Sequence, residues 1–261
     1  MPSGSLTVVG TGIRLGQISL EARACIECAG KVFFLVTDPL TASWIIELNP
    51  SAESLVGYYR PGKDRSISYR EMVERMLTCV REGLEVCVAI YGHPGVFADP
   101  PHEAIRRARL EGYEARMLPA ISAEDCLFAD LGINPGRTGC QSFEATDFLV
   151  RRHRFDTRSA LILWQIGATC DLRFRTTRNL SGIRILTNYL QKYYGRAHKV
   201  VLYEAAQLPL CDPILQHVPL ARVPKTRFSP IATLFVPPKP SGPLNTHRID
   251  RLGIRRASKA K

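Results

Sequence analysis

Val86-Cys87-Val88-Ala89-Ile90-Tyr91-Gly92-His93-Pro94-Gly95-Val96-Phe97 is the stretch on which the reading of the chain turns. Its first half is a short apolar run rich in β-branched residues, which reads as a buried strand over Val86–Tyr91. Its second half is a rigid turn of two glycines and a proline that leaves backbone N–H and C=O groups exposed. Such a turn sits at the carboxyl end of a strand, where open α/β sheets hold their ligands. His93 has two readings, a structural histidine in a tight loop or a ligand contact.

The same grammar recurs outward from that stretch. Leu6–Val9 reads as a strand and runs into Gly10-Thr11-Gly12, where glycine lets the backbone turn sharply and approach a ligand. A dinucleotide site would need a fuller glycine pattern and an acid after the second strand; Asp38 is available, so this fragment alone leaves that reading open. Val32–Val36 reads as a further strand and Glu114–Leu118 as another. Between them lie helical patterns. Ser19 is a cap for a helix through Ala29. Ser68–Val80 is the clearest helix, with Ser68 and Glu71 as a capping box and Met72, Val73, Met76, Leu77 and Val80 on one face. His102–Leu110 is a third, and Ser122, with Asp125 three residues on, opens a fourth. Strands alternating with helices imply a mainly parallel sheet covered on both faces. The second half repeats the idea with strands at Ala160–Trp164, Val200–Tyr203 and Ile231–Val236 and a helix at Ile183–Tyr194.

Asn134-Pro-Gly-Arg-Thr-Gly139 reads as the connection between two domains. The expected division is an N-terminal αβα domain over 1–133, a C-terminal αβα domain over 134–239, and a basic, mobile or partner-docked tail over 240–261.

The chain has 261 residues, 45% hydrophobic and 23% charged, the balance of a soluble globular protein. No apolar run approaches the roughly 20 residues a membrane helix needs, and the N-terminus lacks the pattern of a secretory signal, so a cytoplasmic protein with no membrane partner is expected. The eight cysteines read as reduced small hydrophobes; the lone Cys25-Ile-Glu-Cys28 has no second pair to complete a zinc site, so no metal is expected. The net charge of +11 is concentrated in two places. The tail carries Arg248, Arg251, Arg255, Arg256, Lys259 and Lys261, and a second cluster is Arg151-Arg152-His153-Arg154 with Arg158. A solvated tail plus a basic surface patch accounts for this better than a nucleic-acid site, because no aromatics interleave the basic runs.

Tyr58-Tyr59-Arg60-Pro61-Gly62-Lys63-Asp64-Arg65-Ser66-Ile67-Ser68-Tyr69 is the most unusual segment, polar and basic and rich in tyrosine. On the expected helix Tyr69 is the first helical residue and Arg65 lies just before it, where the helix dipole favours negative charge. Composition alone favours a solvated surface loop here.

Taken in order, strand-Gly10-Thr11-Gly12, Tyr91–Phe97 and Met117-Leu-Pro-Ala-Ile-Ser-Ala-Glu-Asp-Cys-Leu-Phe-Ala-Asp-Leu131 resemble the tetrapyrrole methylase superfamily, the class III S-adenosyl-L-methionine methyltransferases. With Tyr59–Tyr69, Phe143–Leu149 and Ala232–Lys239 added, the match is closer to the borosin peptide backbone α-N-methyltransferases, and it spans about residues 4–240.

The resemblance implies an α/β fold of two αβα domains of the tetrapyrrole methylase type. S-adenosyl-L-methionine would lie in the cleft between them and leave as S-adenosyl-L-homocysteine. It places Tyr91, His93, Val96, Ala123, Gln165, Ala205, Ala232 and Thr233 at the cofactor, and Tyr59, Arg65 and Tyr69 at the catalytic positions. Ala232 and Ala120 stand where the resemblance would put a serine and a glycine. The implied activity is iterative methylation of backbone amides; the alternative is a tetrapyrrole (precorrin-type) C-methyltransferase of the same fold. Fused relatives continue into an apolar substrate tail, whereas an Arg-rich stretch follows Lys239 here. The expected substrate is therefore a separate precursor peptide, and the expected assembly a homodimer or a heterotetramer with that peptide, with no nucleic acid.

Overall fold

The computed structural model describes residues 3–253 except 37, 172, 174–176, 209, 241 and 244. In the first half the chain runs β1 (Ser5–Gly10), α1 (Leu20–Cys28), β2 (Lys31–Leu35), α2 (Pro39–Leu48), β3 (Glu53–Ser54), α3 (Arg65–Arg81), β4 (Glu85–Ile90), α4 (Asp99–Leu110), β5 (Glu114–Met117) and α5 (Ala123–Leu131). The strands form one sheet in the order β3-β2-β4-β1-β5, every pair parallel. Successive side chains on a strand face opposite sides. Val86, Val88 and Ile90 therefore meet Met72, Met76 and Val80 of α3, while Cys87 and Ala89 meet Ala22 and Ile26 of α1.

The second half runs α6 (Pro135–Thr138), β6 (Cys140–Glu144), α7 (Ala145–Val150), β7 (Ala160–Trp164), α8 (Leu180–Tyr194), β8 (Lys199–Glu204), β9 (Ile214–Pro219), β10 (Thr233–Val236) and α9 (Thr246–Arg251). Its sheet has the order β6-β7-β10-β8-β9. Only β6 and β7 are parallel; the other three pairs are antiparallel, so this sheet departs from the parallel repeat expected. A parallel return needs a crossover of a dozen or more residues, and β8 and β9 are joined by too short a link. α8 covers one face with Ile183, Leu186 and Leu190. The other face packs on Leu127 of α5, so that helix is capped at the end of the first sheet and buried against the second.

Local chemistry explains the boundaries. The Ser19 hydroxyl accepts from Ala22 N, and Ser122 and Asp125 form a reciprocal capping box. α4 begins at Asp99, earlier than expected, because Pro100 and Pro101 sit in its first turn, where a missing N–H costs nothing. The largest correction concerns α3. Asp64, not Ser68, is its cap, accepting from Ser66 N at 2.8 Å. Ser68 is wholly buried inside the helix, and its hydroxyl donates to Tyr58 O at 2.9 Å. Arg65 is therefore the first helical residue, and Tyr69 lies one turn in on the same face. Asp38 is likewise a cap, accepting from Thr41 N at 2.8 Å.

The cysteines are all free, but Cys28, Cys170 and Cys211 are exposed rather than packed. Among the described residues no helix is long and apolar enough to cross a membrane. Of the basic tail, Asn245 caps the short α9, whereas Arg255, Arg256, Lys259 and Lys261 lie outside the described residues.

Gly182 shows how closely α8 seats on this frame. A Cβ there would stand 2.0 Å from Thr169 O. Alanine normally stabilises a helix relative to glycine by about 1 kcal/mol. Here Gly182→Ala is expected to destabilise by about 2–3 kcal/mol through overpacking. Gly16→Ala, whose Cβ meets nothing within 4 Å, is expected to be neutral or slightly stabilising. Denaturant unfolding of the two variants checks the contrast.

Candidate functional site

β1 and β4 lie side by side, and the chain leaves them in opposite directions across the sheet, toward β2 and toward β5. Their carboxyl ends therefore form the switch-point crevice of an open α/β sheet. The two loops lace together: Thr11 N donates to Ile90 O at 2.9 Å, Gly92 N to Gly12 O at 2.8 Å, and Gly12 N to Gly92 O at 3.3 Å. Gly10 admits no side chain, since a Cβ would lie 2.3 Å from Gly92 O and 2.4 Å from the Ala120 methyl. His93 takes a hydrogen bond from Gly95 N on Nδ1 at 2.9 Å, which leaves the neutral ring's proton on Nε2.

Above these loops lies a cleft of about 280 Å³, walled by both halves of the chain. The first half contributes Ile13, Tyr91, His93, Val96, Phe97 and Ala123. The second contributes Trp164, Gln165, Tyr203, Ala205, Ile231 and Thr233. Seven of the eight residues expected at the cofactor thus face one cleft. Ala232 does not; it is fully buried beneath, its carbonyl accepting from Ile166 N at 3.1 Å. The Tyr91 phenol is pushed up to about 12 by burial, against the effect of its hydrogen bond with Gln207. Tyr203 donates to Asp130 at 2.7 Å, tying β8 to α5.

A second chamber of about 700 Å³ adjoins the cleft and shares two wall residues with it, Phe97 and Gln165. Both hold left-handed backbone, with φ of 52° and 53°. Side chains other than glycine rarely adopt that conformation, and where they do it marks sites held by their surroundings. Phe97 packs on Trp164 with ring centroids 5.3 Å apart. Arg65 and Tyr69 line the chamber, and Arg65 Nη1 donates to Gln165 Oε1 at 3.3 Å. Tyr59 stands behind Tyr69, edge to face at 6.2 Å.

The three residues singled out in the tyrosine-rich segment are therefore together, beside the cleft. The Tyr59 phenol is driven well above its ordinary value by burial first and then by the charge and hydrogen bond of Tyr69; the opposing Arg65 charge does not win. Tyr59 holds its proton and is a hydrogen-bond donor.

Sequence reasoning passed over a network that joins the halves behind the cleft. Trp164 Nε1 donates to Ser142 Oγ at 2.7 Å, and Ser142 donates to Glu124 Oε2 at 2.8 Å. Burial pushes the Glu124 carboxyl up, against the Ser142 hydrogen bond. Phe97, the last residue of the Tyr91–Phe97 turn, is a further wall residue that sequence pattern alone does not single out. On the far side of the chamber Asp147 holds His153 at 2.9 Å and also Arg151, and these keep its carboxyl below the usual range.

The family described as Tetrapyrrole (Corrin/Porphyrin) Methylases matches residues 5–209. The methyltransferase/ribosomally synthesized cyclic peptide dendrothelin A precursor of Dendrothele bispora is 44% identical over 98% of this chain and 63% of its own length. The corresponding gymnopeptides precursor of Gymnopus fusipes is 45% identical over 91% and 58%, and the omphalotin A precursor of Omphalotus olearius 42% over 97% and 62%. The chain thus spans about three-fifths of these relatives. Their names join methyltransferase and precursor in one protein and lend nothing to a separately supplied peptide. In fold, the chain superposes on uroporphyrin-III-C-methyltransferase from Thermus thermophilus at a TM-score of 0.64, with 17% identity over 90% of this chain and 92% of that one. The methyltransferase CobJ gives 0.63, with 18% identity over 92% and 98%.

The raised Glu124 carboxyl predicts a pH-dependent cost. Its folded value lies above the unfolded one, so the charged form weakens the fold as pH rises through that window and stays costly above it. Glu124→Gln keeps an acceptor for Ser142 and removes the charge. The variant is expected to melt roughly 1–3 °C higher at pH 8, with the difference vanishing below about pH 4. Thermal melts at the two pH values test this, and equal melting points at pH 8 would refute it.

Proposed function

The chain belongs to the tetrapyrrole methylase family, and on that footing we propose that it methylates backbone amides of a peptide, iteratively, using S-adenosyl-L-methionine. The observation that carries the reading is the contact of Arg65 with Gln165. It joins a phenol–guanidinium cluster to a residue that also walls the cleft.

The cleft residues fit the cofactor. Ile13, Val96, Trp164 and Ile231 offer apolar walls, and a polar set from Tyr91, His93, Gln165 and Thr233 converges on the same space. Tyr91, His93, Val96, Ala123, Gln165, Ala205 and Thr233 would hold it, with Ala232 shaping the strand beneath. When bound, the cofactor supplies an electrophilic methyl group. The protein's own task is the acceptor. An amide nitrogen is a poor nucleophile because its lone pair is delocalised into the carbonyl, so positioning and charge stabilisation dominate.

Arg65, at the first position of α3, offsets negative character on the amide oxygen. Tyr69, beside it on the chamber wall, is the base: as the phenolate it takes the amide proton and becomes the neutral phenol. Tyr59, which keeps its own proton, donates to the Tyr69 oxygen and steadies the phenolate until that transfer. Asp64, capping the helix in front of Arg65, fixes where the guanidinium starts.

The proposal extends to a homodimer, or a heterotetramer with a precursor peptide supplied by a separate chain. The names of the relatives favour a peptide carried on the same chain instead. Co-expression with a candidate precursor, followed by mass spectrometry for +14 Da steps on backbone nitrogens, distinguishes the two arrangements. Methyl groups found on the methyltransferase's own polypeptide, and none on the added peptide, would reject supply in trans.

Arg65→Ala and Tyr69→Phe are expected to lower turnover by about 100-fold or more while leaving cofactor affinity within about twofold. Tyr59→Phe is expected to lose less, because it acts through Tyr69. Val96→Asp should weaken the cofactor itself. Calorimetric titration alongside single-turnover assays reads both quantities. Loss of cofactor affinity in the Tyr69→Phe protein would refute its assignment to the acceptor.

A further inference from the structure

The basic cluster after α7 takes no part in the chemistry above. Yet it borders an open groove of about 840 Å³ between Leu149 with residues 152–155 and the exposed face of α8. Three exposed cations line it, Arg152, Arg154 and Lys192. Its floor is aromatic: Phe155, Tyr189 and Tyr193 pack together with centroids 5.0 Å (Phe155 to Tyr193) and 5.2 Å (Tyr189 to Tyr193) apart.

We infer that this groove docks an acidic, aromatic-bearing stretch of the peptide acceptor, away from the residues being methylated. The inference rests on the peptide reading of the preceding section.

Four observations support it. No carboxylate lines the groove, and among the described residues none of its three cations is ion-paired, whereas the adjacent Arg151 and His153 are both held by Asp147. Charge of one sign against apolar ring surface calls for a partner with the opposite charge and apolar side chains. Arg152 holds left-handed backbone with φ of 51°, a conformation that costs a non-glycine residue energy and fixes where its side chain departs. Finally, His153 walls both this groove and the acceptor chamber, so a peptide leaving the chamber past His153 comes directly onto the groove.

The other occupants fit less well. A second copy docked by this face about a two-fold axis would set Arg152, Arg154 and Lys192 against their own equivalents, which repel. A single-stranded nucleic acid would want flat ring faces on which to stack. Here the ring planes cross at 66° and 59° and form a ridged floor.

The test uses the full chain without methyl donor, so its readout does not depend on turnover. A fluorescein-labelled peptide rich in glutamate and phenylalanine, and its counterpart with every glutamate replaced by glutamine, are titrated by fluorescence anisotropy. The acidic peptide is expected to bind about tenfold or more tightly than the neutral one and to weaken with added salt. The double variant Arg154→Glu/Lys192→Glu should lose that preference, with melting temperature and S-adenosyl-L-methionine affinity unchanged. Once a substrate peptide is in hand, joining the acidic stretch to it should lower KM in the parent protein but not in the variant, with kcat the same in both. Equal binding of the two peptides, or a variant that binds as the parent does, overturns the inference. So does a changed sedimentation coefficient in the variant, which would mark the groove as an interface between copies. Tighter binding of a single-stranded oligonucleotide at the same residues also overturns it. Absence of methyl transfer from any peptide would sink the proposed function while leaving the anisotropy result readable.

Discussion

The two loops at the heart of this protein can interlock only because no side chain stands at residue 10. Gly10 lets β1 end against the carbonyl of Gly92, and the backbone pairing of residues 12 and 92 locks the β1 and β4 loops into one floor. The cleft between the two halves is built on that floor. Tyr91, His93 and Val96 project from it, and the His93–Gly95 hydrogen bond braces the turn. The ties that hold the second half over it are of different kinds, among them the apolar seat of α5, the Tyr203–Asp130 hydrogen bond, and the Trp164–Ser142–Glu124 relay. One of these buries a carboxyl at a cost, which is the pattern expected where a fold gives up stability to hold two bodies in a fixed relation.

Cleft and chamber meet at two residues whose backbones lie in the left-handed region. A side chain carried there leaves the chain in a direction that neither strand nor helix offers, and Phe97 and Gln165 use it to face both spaces at once. Gln165 then reaches Arg65, so the helix that carries Arg65 and Tyr69 is referenced to the same point as the cleft. The cap at Asp64 matters for this reason. Starting α3 one turn early puts the arginine at the mouth of the helix and the tyrosine one turn behind it on the same face.

Much of the first sheet was legible in the sequence, because its central strands are buried on both faces and read as unbroken apolar runs. The missed strands are edges. β3, β6 and β9 each end a sheet and carry half-exposed side chains, so periodicity says little about them. α2 escaped because its cap, Asp38, had another available meaning. The start of α3 was misread because two capping chemistries, Asp64 with Ser66 and Ser68 with Glu71, compete within five residues. Tertiary burial decided between them by turning Ser68 inward onto Tyr58. At the site, the tyrosine-rich segment looked like surface loop from composition, and only resemblance raised it. The partners Phe97 with Trp164, and Glu124 with Ser142, come from opposite halves of the molecule, and no local pattern announces such pairs.

The seat of α5 has a consequence for how the molecule comes into being. The helix is capped by a serine at the end of the first sheet, but Leu127 finds its pocket among Ile162, Val201 and Phe235. During synthesis that apolar face leaves the ribosome roughly a hundred residues before Phe235 does, an interval of about 5–20 s. For that time the nascent first half carries a sticky, unhoused helix, the kind of surface that chaperones grip, and the pocket stays a half-built room until the last strand slides in.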